Sequence, residues 1–210
     1  MKNRCVIVAG GDCKDLSVIN ENDFLIAADS GLNVLLKNNI TPSLIVGDFD
    51  SFEGELPSNV ETIVLPTHKD DTDLLYAAKI GEERGFSTFL ILGGYGSRPD
   101  QNYAMYETLL WLKRNEAVTN VKALCTDFYV TIILNESVEL DLEINQYLSI
   151  FAFGGVADRV SVTGTEYELN DYTLKPGVPI GVSNEVSNSG KISISVENGA
   201  LLVFVVNKNI

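Results

Sequence analysis

The chain has 210 residues, 45% of them hydrophobic, with a mean hydropathy of +0.11, which is enough apolar material for a real core in one large domain or two small ones. Its 29 acidic and 15 basic residues leave a formal charge of −14, which argues against a broad basic face for nucleic acid or for an anionic membrane. An anionic ligand would have to be held by metal, by locally placed basic groups or by backbone N–H groups. Cys5, Cys13 and Cys125 are odd in number and widely spaced with no Cys-x-x-Cys pair, so they read as ordinary thiols rather than a disulfide framework or a zinc site. The first apolar run, residues 5–9, is too short for a signal-peptide core or a membrane span, and no later run reaches that length. A reducing cytoplasm is the expected location.

Along the first 126 residues, short apolar runs alternate with helical patterns. Residues 6–9, 24–28, 44–46, 62–65, 89–92 and 121–124 read as buried strands. Helical spacing appears over 31–38 (Leu32, Leu35, Leu36), 72–84 (Leu74, Leu75, Ala78, Ile80) and 103–114 (Met105, Leu109, Leu110, Leu112). Trp111 falls in the last of these and reads as a core residue. Strand followed by helix, repeated, predicts an α/β domain over 1–126 with a largely parallel sheet.

After Asp127 the helical spacing disappears. Strand-like runs at 129–134, 138–142, 147–153, 160–162, 192–196 and 201–206 are punctuated by Gly154-Gly155, Asn170-Asp171, Lys175-Pro176-Gly177, Asn188-Ser189-Gly190 and Asn198-Gly199. Residues 127–210 are therefore expected to form an antiparallel β-sandwich.

Between Asp48 and Asp73 lie five aspartates, in the runs Gly47-Asp48-Phe49-Asp50-Ser51 and Lys69-Asp70-Asp71-Thr72-Asp73. Like charges that close repel unless a cation neutralises them, so two such clusters near one another point to a divalent metal. Asp48 and Asp50 follow the strand that ends at Gly47, where open α/β sheets bind ligands, and side-chain period two places them on one side if the backbone stays extended. The alternative is a polar turn capped by Asp48. The second cluster opens a helix, so Asp70 or Asp71 is a candidate cap, which accounts for two of its carboxylates but not readily for three. His68, the one histidine, reads first as a surface residue and Lys69 as a charge balancing its neighbours.

A third constellation, residues 93–102, again lies between strand and helix. Its glycines let backbone approach a ligand, and Arg98 is placed to hold phosphate oxygens. It has neither a Walker lysine nor a G-x-G-x-x-G fingerprint. With Gly10-Gly11-Asp12 and Asp29-Ser30-Gly31, five strand ends bearing Gly, Asp or Ser would line one edge of the sheet.

Taken together, these motifs resemble the thiamine pyrophosphokinase (thiamine diphosphokinase) family over nearly the whole chain. The resemblance rests on Ala28 to Gly31, Pro42 to Ser51, Lys69 to Asp73, Gly93 to Gln101, Gly181 to Glu185 and Gly199 to Val203. It implies an N-terminal Rossmann-like α/β nucleotide-binding catalytic domain with a mostly parallel sheet, a C-terminal antiparallel β-sandwich that binds thiamine, and a homodimer with active sites at the subunit interface. The implied reaction moves pyrophosphate from ATP to the thiamine hydroxyl, giving thiamine diphosphate and AMP. By matching position, Asp48, Asp50 and Asp73 would bind Mg2+; Asp29, Asp71, Thr72 and Arg98 would lie around the nucleotide; and Ser183 and Asn184 would touch thiamine. Arg98 would assist catalysis, and Asp71 or Asp100 would accept the alcohol proton.

Two departures from the family pattern stand out: Pro99 with Asp100-Gln101, where an aromatic or aliphatic residue and Asp-His are usual, and Gly164-Thr165-Glu166-Tyr167, which lacks the usual Leu-Lys after glycine. Two other readings compete. A nucleotide-sugar glycosyltransferase also places a metal-binding Asp-x-Asp after an α/β strand, and a non-catalytic metal- or nucleotide-binding module would use the acidic loops structurally.

Overall fold

The computed structural model describes residues 4–13, 15–49, 55–186 and 190–208, which form two compact units, 1–126 and 127–210. In the first unit the strands are β1 (Cys5–Val8), β2 (Phe24–Ala28), β3 (Leu44–Gly47), β4 (Glu61–Val64), β5 (Thr88–Leu92) and β6 (Asn120–Leu124). They lie in the order β4-β3-β2-β1-β5-β6, and every neighbouring pair is parallel. The winding therefore reverses beside β1, which pairs with β2 on one side and β5 on the other; Val6 stands between Leu25 and Leu90. β1 and β3 are buried along their whole length, and β2 and β5 at all but their first residue. A parallel sheet covered on both faces requires such continuous apolar runs. The edge strand β4 is only partly covered, and its Val64 is exposed.

Three helices cover this sheet: α1 (Gly31–Lys37), α2 (Asp73–Glu83) and α3 (Pro99–Lys113). Leu32 and Leu35 of α1 join Val6, Val8, Leu25, Leu90 and Leu92 in one core. The opposite face takes α2 and α3, with Gly81 against Phe89 and Cys5, and Met105 beside Gly94 and Ile91. The period of two along each strand sorts the side chains between these layers. α3 begins four residues before its apolar spacing does, because Pro99 occupies the first turn, where a missing N–H costs nothing. Trp111 is half-buried rather than in the core, with Lys79 Nζ 5.9 Å from its ring centroid. Cys5 and Cys125 are buried free thiols, each pushed up to about 12, chiefly by burial.

The second unit is a β-sandwich. One sheet holds β7 (Phe128–Leu134), β13 (Asn198–Asn207), β9 (Gln146–Thr163) and the short β11 (Asn184–Glu185); the other holds β8 (Ser137–Leu142), β12 (Gly190–Ser195), β10 (Leu169–Leu174) and the far half of β9. All these pairings are antiparallel. Leu148, Ile150, Leu201 and Val203 from the first sheet meet Val160, Val162, Ile192 and Ile194 from the second in a single core.

The two strands expected at 147–153 and 160–162 are one strand, β9. Gly154 (φ +68°) does not end it: the register slips between Phe153↔Ala200 and Asp158↔Asn198, so β9 bends through a bulge and passes from one sheet to the other. β10 falls where Asn170-Asp171 reads as a turn. It is mostly exposed, and Asp171 (φ +53°) marks an irregularity in its pairing with β9.

The start of α1 is set by steric fit. A Cβ on Gly31 would stand 1.9 Å from the Val8 carbonyl oxygen. Helix propensity alone would favour Gly31→Ala by about 1 kcal/mol. Because the obstructing atom is backbone, the substitution is expected to destabilise the protein instead, by about 1–3 kcal/mol, read as a lower urea midpoint with an unchanged m-value.

Candidate active site

The strand ends of the first unit are held level by hydrogen bonds that run past the regular strands. Ala9 N–H donates to Leu92 O (2.8 Å), Gly11 N–H to Gly93 O (2.7 Å) and Asp12 N–H to Tyr95 O (2.6 Å), so the chains leaving β1 and β5 stay zipped together. Asp29 N–H donates to Val46 O (2.7 Å) and Leu65 N–H to Gly47 O (2.9 Å), which aligns the ends of β2, β3 and β4 with them. A Cβ on Gly11 would meet Tyr95 O at 2.3 Å, and one on Gly93 (φ +64°) would meet Ala9 O at 2.3 Å. Only glycine fits where two backbones approach this closely.

Above this edge lies a cleft of about 590 Å³, lined by residues of Gly10-Gly11, Asp29-Ser30, the 67–74 segment and the 93–102 loop. It sits outside the carboxyl ends of β1 and β5, where the winding reverses, which is the ligand position in open α/β sheets. The loop is anchored by Asn102, whose Oδ1 accepts from Gly96 N–H (2.8 Å) and whose Nδ2 donates to Gly96 O (2.9 Å).

The structure brings half of the ten expected site residues to this cleft. Asp29, Asp71, Thr72, Asp73 and Arg98 line it. Asp29 sits in the turn between β2 and α1 at φ +47°, a conformation aspartate tolerates better than most residues. The α2 cap is Thr72, not Asp70 or Asp71: its backbone is extended (ψ 154°) and its Oγ1 accepts from Leu75 N–H at 3.1 Å. The neighbouring carboxylates are thereby left for other partners. Asp71 accepts from Lys79 Nζ at 2.5 Å. His68 is exposed and lies outside the lining.

Lys69 Nζ stands 3.3 Å from Asp48 Oδ2 and 3.0 Å from Asp73 Oδ1, so one ammonium touches carboxylates from the end of β3 and the start of α2. Burial alone would lower the Lys69 pKa, but the charges and contacts of Asp73 and Asp48 outweigh it and the ammonium is raised. Asp73 Oδ1 is buried, and the Lys69 approach lacks hydrogen-bond geometry, so among the described residues that oxygen has an ionic neighbour but no hydrogen-bond donor. Asp50, expected beside Asp48, lies outside the described residues, and among the described residues no cluster of three metal-ligating side chains forms.

Arg98 and Asp100 lie on the rim and bind each other, Nη2 to Oδ2 at 2.5 Å and Nε to Oδ1 at 3.0 Å, with side chains 67% and 62% exposed. The hydrogen bond from Arg98 is the main cause that holds the Asp100 carboxyl down at about 2. A carboxylate so weakly basic is a poor proton acceptor while the pair lasts.

In the second unit, Asn184 Nδ2 donates to Tyr167 O (2.7 Å) and Thr165 Oγ1 (3.0 Å), and Asn184 Oδ1 accepts from Tyr167 N–H (3.0 Å). The amide thus clamps the 165–167 turn and leaves the Tyr167 side chain 72% exposed. Ser183 is exposed at φ +55°, its N–H donating to the buried Ser149 Oγ (2.9 Å).

Two contributors, Lys79 and Asn102, escaped sequence reasoning, while Lys69 balances its acidic neighbours as expected. Lys69 and Asp73 have the i, i+4 spacing of an ion pair, a readable signal. Lys79 and Asp71 are eight apart, which is not a pairing distance on a helix. Asn102 acts on a loop behind it, for which no spacing rule exists.

A doubly wound sheet with a glycine-walled cleft at its switch point, joined in one chain to a β-sandwich, defines a two-unit α/β protein with its cleft at the ligand position of open α/β sheets. Residues 16–121 match the family "Thiamin pyrophosphokinase, catalytic domain", and residues 132–201 match "Thiamin pyrophosphokinase, vitamin B1 binding domain". The chain belongs to the thiamin pyrophosphokinase family. It is 28% identical over 209 residues to the thiamine pyrophosphokinase of Bacillus subtilis (strain 168), covering 94% of this chain and 95% of that one. It is 24% identical over 197 residues to thiamin pyrophosphokinase 1 of Caenorhabditis elegans, covering 88% and 79%. The crystal structure of the Bacillus subtilis thiamine pyrophosphokinase superposes with a TM-score of 0.88 at 24% identity, over 98% of this chain and 99% of that one. That of Candida albicans thiamin pyrophosphokinase gives 0.82 at 12% identity, over 98% and 89%, a likeness of fold.

The Thr72 cap can be tested apart from chemistry. Thr72→Ala should lower stability by about 1 kcal/mol in urea unfolding, while Thr72→Ser should restore most of it, because serine supplies the same oxygen to Leu75 N–H.

Proposed function

We propose that this chain is a thiamine diphosphokinase, which transfers a pyrophosphoryl group from ATP to the hydroxyl of thiamine and releases AMP and thiamine diphosphate. The observation that carries this reading is the convergence of the glycine wall, Arg98 and the Asp48–Asp73 pair at the switch-point edge of a chain from this family. The glycosyltransferase and non-catalytic readings are not favoured, since both units match the same kinase family.

The proposal includes Mg2+, held by Asp48 and Asp73 together with Asp50. Two features fit it: Asp73 Oδ1 is buried with no hydrogen-bond donor among the described residues, and a cationic group already rests against both carboxylates. Bound there, the metal would offset charge on the phosphate oxygens during transfer.

The remaining roles follow from this chain's own groups. The first unit, residues 1–126, serves as the catalytic, nucleotide-binding domain. Its glycine wall admits phosphates close to backbone, and the Arg98 guanidinium can exchange Asp100 for phosphate oxygens in a two-point contact. The Thr72 oxygen accepts from Leu75 N–H, which leaves its O–H to donate to the nucleotide, and Asp29 stands at the same wall. Asp71 is the better placed proton acceptor for the thiamine hydroxyl: it lines the cleft with Lys79 orienting it, whereas Asp100 sits on the rim outside the lining. As the new O–P bond forms at the β-phosphorus, the bond to the AMP oxygen breaks and the alcohol proton passes to Asp71. The second unit, residues 127–210, serves as the thiamine-binding domain through Ser183 and Asn184. The Asn184 amide is engaged with the Thr165–Tyr167 turn, so its support for thiamine is chiefly to shape that turn. We extend the proposal to a cytoplasmic homodimer with active sites at the subunit interface.

AMP release from ATP and Mg2+, followed with and without thiamine, is the deciding measurement; AMP that does not depend on thiamine would sink the reading. Asp73→Asn should lower turnover by at least about 100-fold while the far-UV circular dichroism stays native, since a transition-state charge contact worth about 3 kcal/mol is lost. Retained activity would remove Asp73 from the metal set. Sedimentation should return the mass of two chains.

A further inference from the structure

Lys69 belongs to the segment between β4 and α2 and lines the cleft, and its Nζ touches Asp48 and Asp73 together and lies 3.5 Å from the Pro66 carbonyl. Its side chain is only 15% exposed, and so is a built part of the wall rather than a solvated surface charge. The acid pair it bridges is the one assigned to Mg2+ in the proposed function, on which this inference rests. An ammonium and a divalent cation cannot occupy that place together, because two positive centres sharing the same oxygens repel at short range. A divalent cation that takes the same two oxygens, Asp48 Oδ2 and Asp73 Oδ1, displaces Lys69. Besides the carboxylates of Asp29, Asp70 and Asp71 that line the same cleft, a nucleotide would offer the displaced ammonium a new anionic partner in its phosphate chain.

We propose that Lys69 is an internal counter-ion for the metal site: it holds Asp48 and Asp73 in register before metal arrives, opposes binding of a divalent cation alone, and yields when a nucleotide brings phosphate oxygens for its ammonium. Metal and nucleotide binding are thereby coupled through one side chain. Each favours the other because the nucleotide gives Lys69 a partner that the metal has taken from it.

The test measures Mn2+ affinity directly, by the spin-resonance signal of free Mn2+, in wild type, Lys69→Gln and Lys69→Arg. Each is titrated without nucleotide and with α,β-methylene-ATP, in which the bond to be broken is replaced by a carbon bridge. Wild type should bind Mn2+ weakly alone and more tightly with the analogue. Lys69→Gln should bind Mn2+ alone at least about fivefold more tightly than wild type, the equivalent of losing one modest ion pair, and gain less from the analogue. Lys69→Arg, which keeps the charge, should stay within about twofold of wild type without nucleotide. Lys69→Met, which keeps the apolar stem, replaces Lys69→Gln if that variant does not fold. If wild type binds Mn2+ with the analogue but the neutral variants bind it alone no better than wild type, the counter-ion role is overturned and the metal site stands. If no variant binds Mn2+ in either condition, the metal site and the counter-ion fall together.

Discussion

The pairing of β1 with β5 is the constraint on which the rest of the first unit depends. Because β1 takes β2 on its other side, the winding of the sheet reverses at this pair, and the chains leaving the two strands would ordinarily diverge. Here they continue to bond, Gly11 to Gly93 and Asp12 to Tyr95, which forces backbone against backbone and leaves no space for a Cβ at Gly11 or Gly93. The cleft is therefore walled by main chain, the surface best able to approach a phosphate. Parallel register carries the other strand ends to the same edge. Asp29, Asp48 and Asp73 arrive there because β2, β3 and the helix after β4 have no other place to end.

Bringing these acids together creates an electrostatic problem in a chain of charge −14, and the solution shapes the site. Lys69 lies against Asp48 and Asp73, Lys79 holds Asp71, and Arg98 holds Asp100. Each cationic group is matched to a carboxylate that the proposed chemistry would use. The two kinds of pair differ in what they can do. The Arg98–Asp100 pair is largely exposed and contributes little to stability, which suits a group that must change partners. The Lys69 contacts are more enclosed, and among the described residues Asp73 Oδ1 still lacks a hydrogen bond. Among those residues, the Lys69 ammonium is its ionic neighbour, at 3.0 Å.

The second unit solves a different problem, that of closing a sandwich core with one long strand. β9 serves both sheets by bending at Gly154, so that Ile150 and Val162, on either side of the bend, enter the same core. The side-chain amide of Asn184 does for the 165–167 turn what a backbone strand would do, donating and accepting against Tyr167. The Asn184 amide thus shapes the turn, which holds Tyr167 outward between the exposed Glu166 and Glu168.

The alternation of apolar runs with helical spacing was enough to define an α/β domain followed by a β-rich one, because burial on both faces demands continuous apolar strands and half-buried helices demand a 3.6 period. The family motifs, being local in sequence, were legible too. The sequence could not distinguish a glycine pair that ends a strand from one that bends it, as at Gly154-Gly155, since the difference lies in whether distant β13 stays paired. Nor could it choose Thr72 over Asp70 or Asp71 as the α2 cap, which depends on where the chain turns into the helix. By itself the sequence determined which residues are acidic, which turns require glycine and how the strands alternate with helices. Only the tertiary structure decided which carboxylate meets which ammonium: Lys69 with Asp48 joins the segment before α2 to the end of β3, and Asp71 with Lys79 joins the residue before the Thr72 cap to the middle of α2, and no spacing rule along the chain sets either pair.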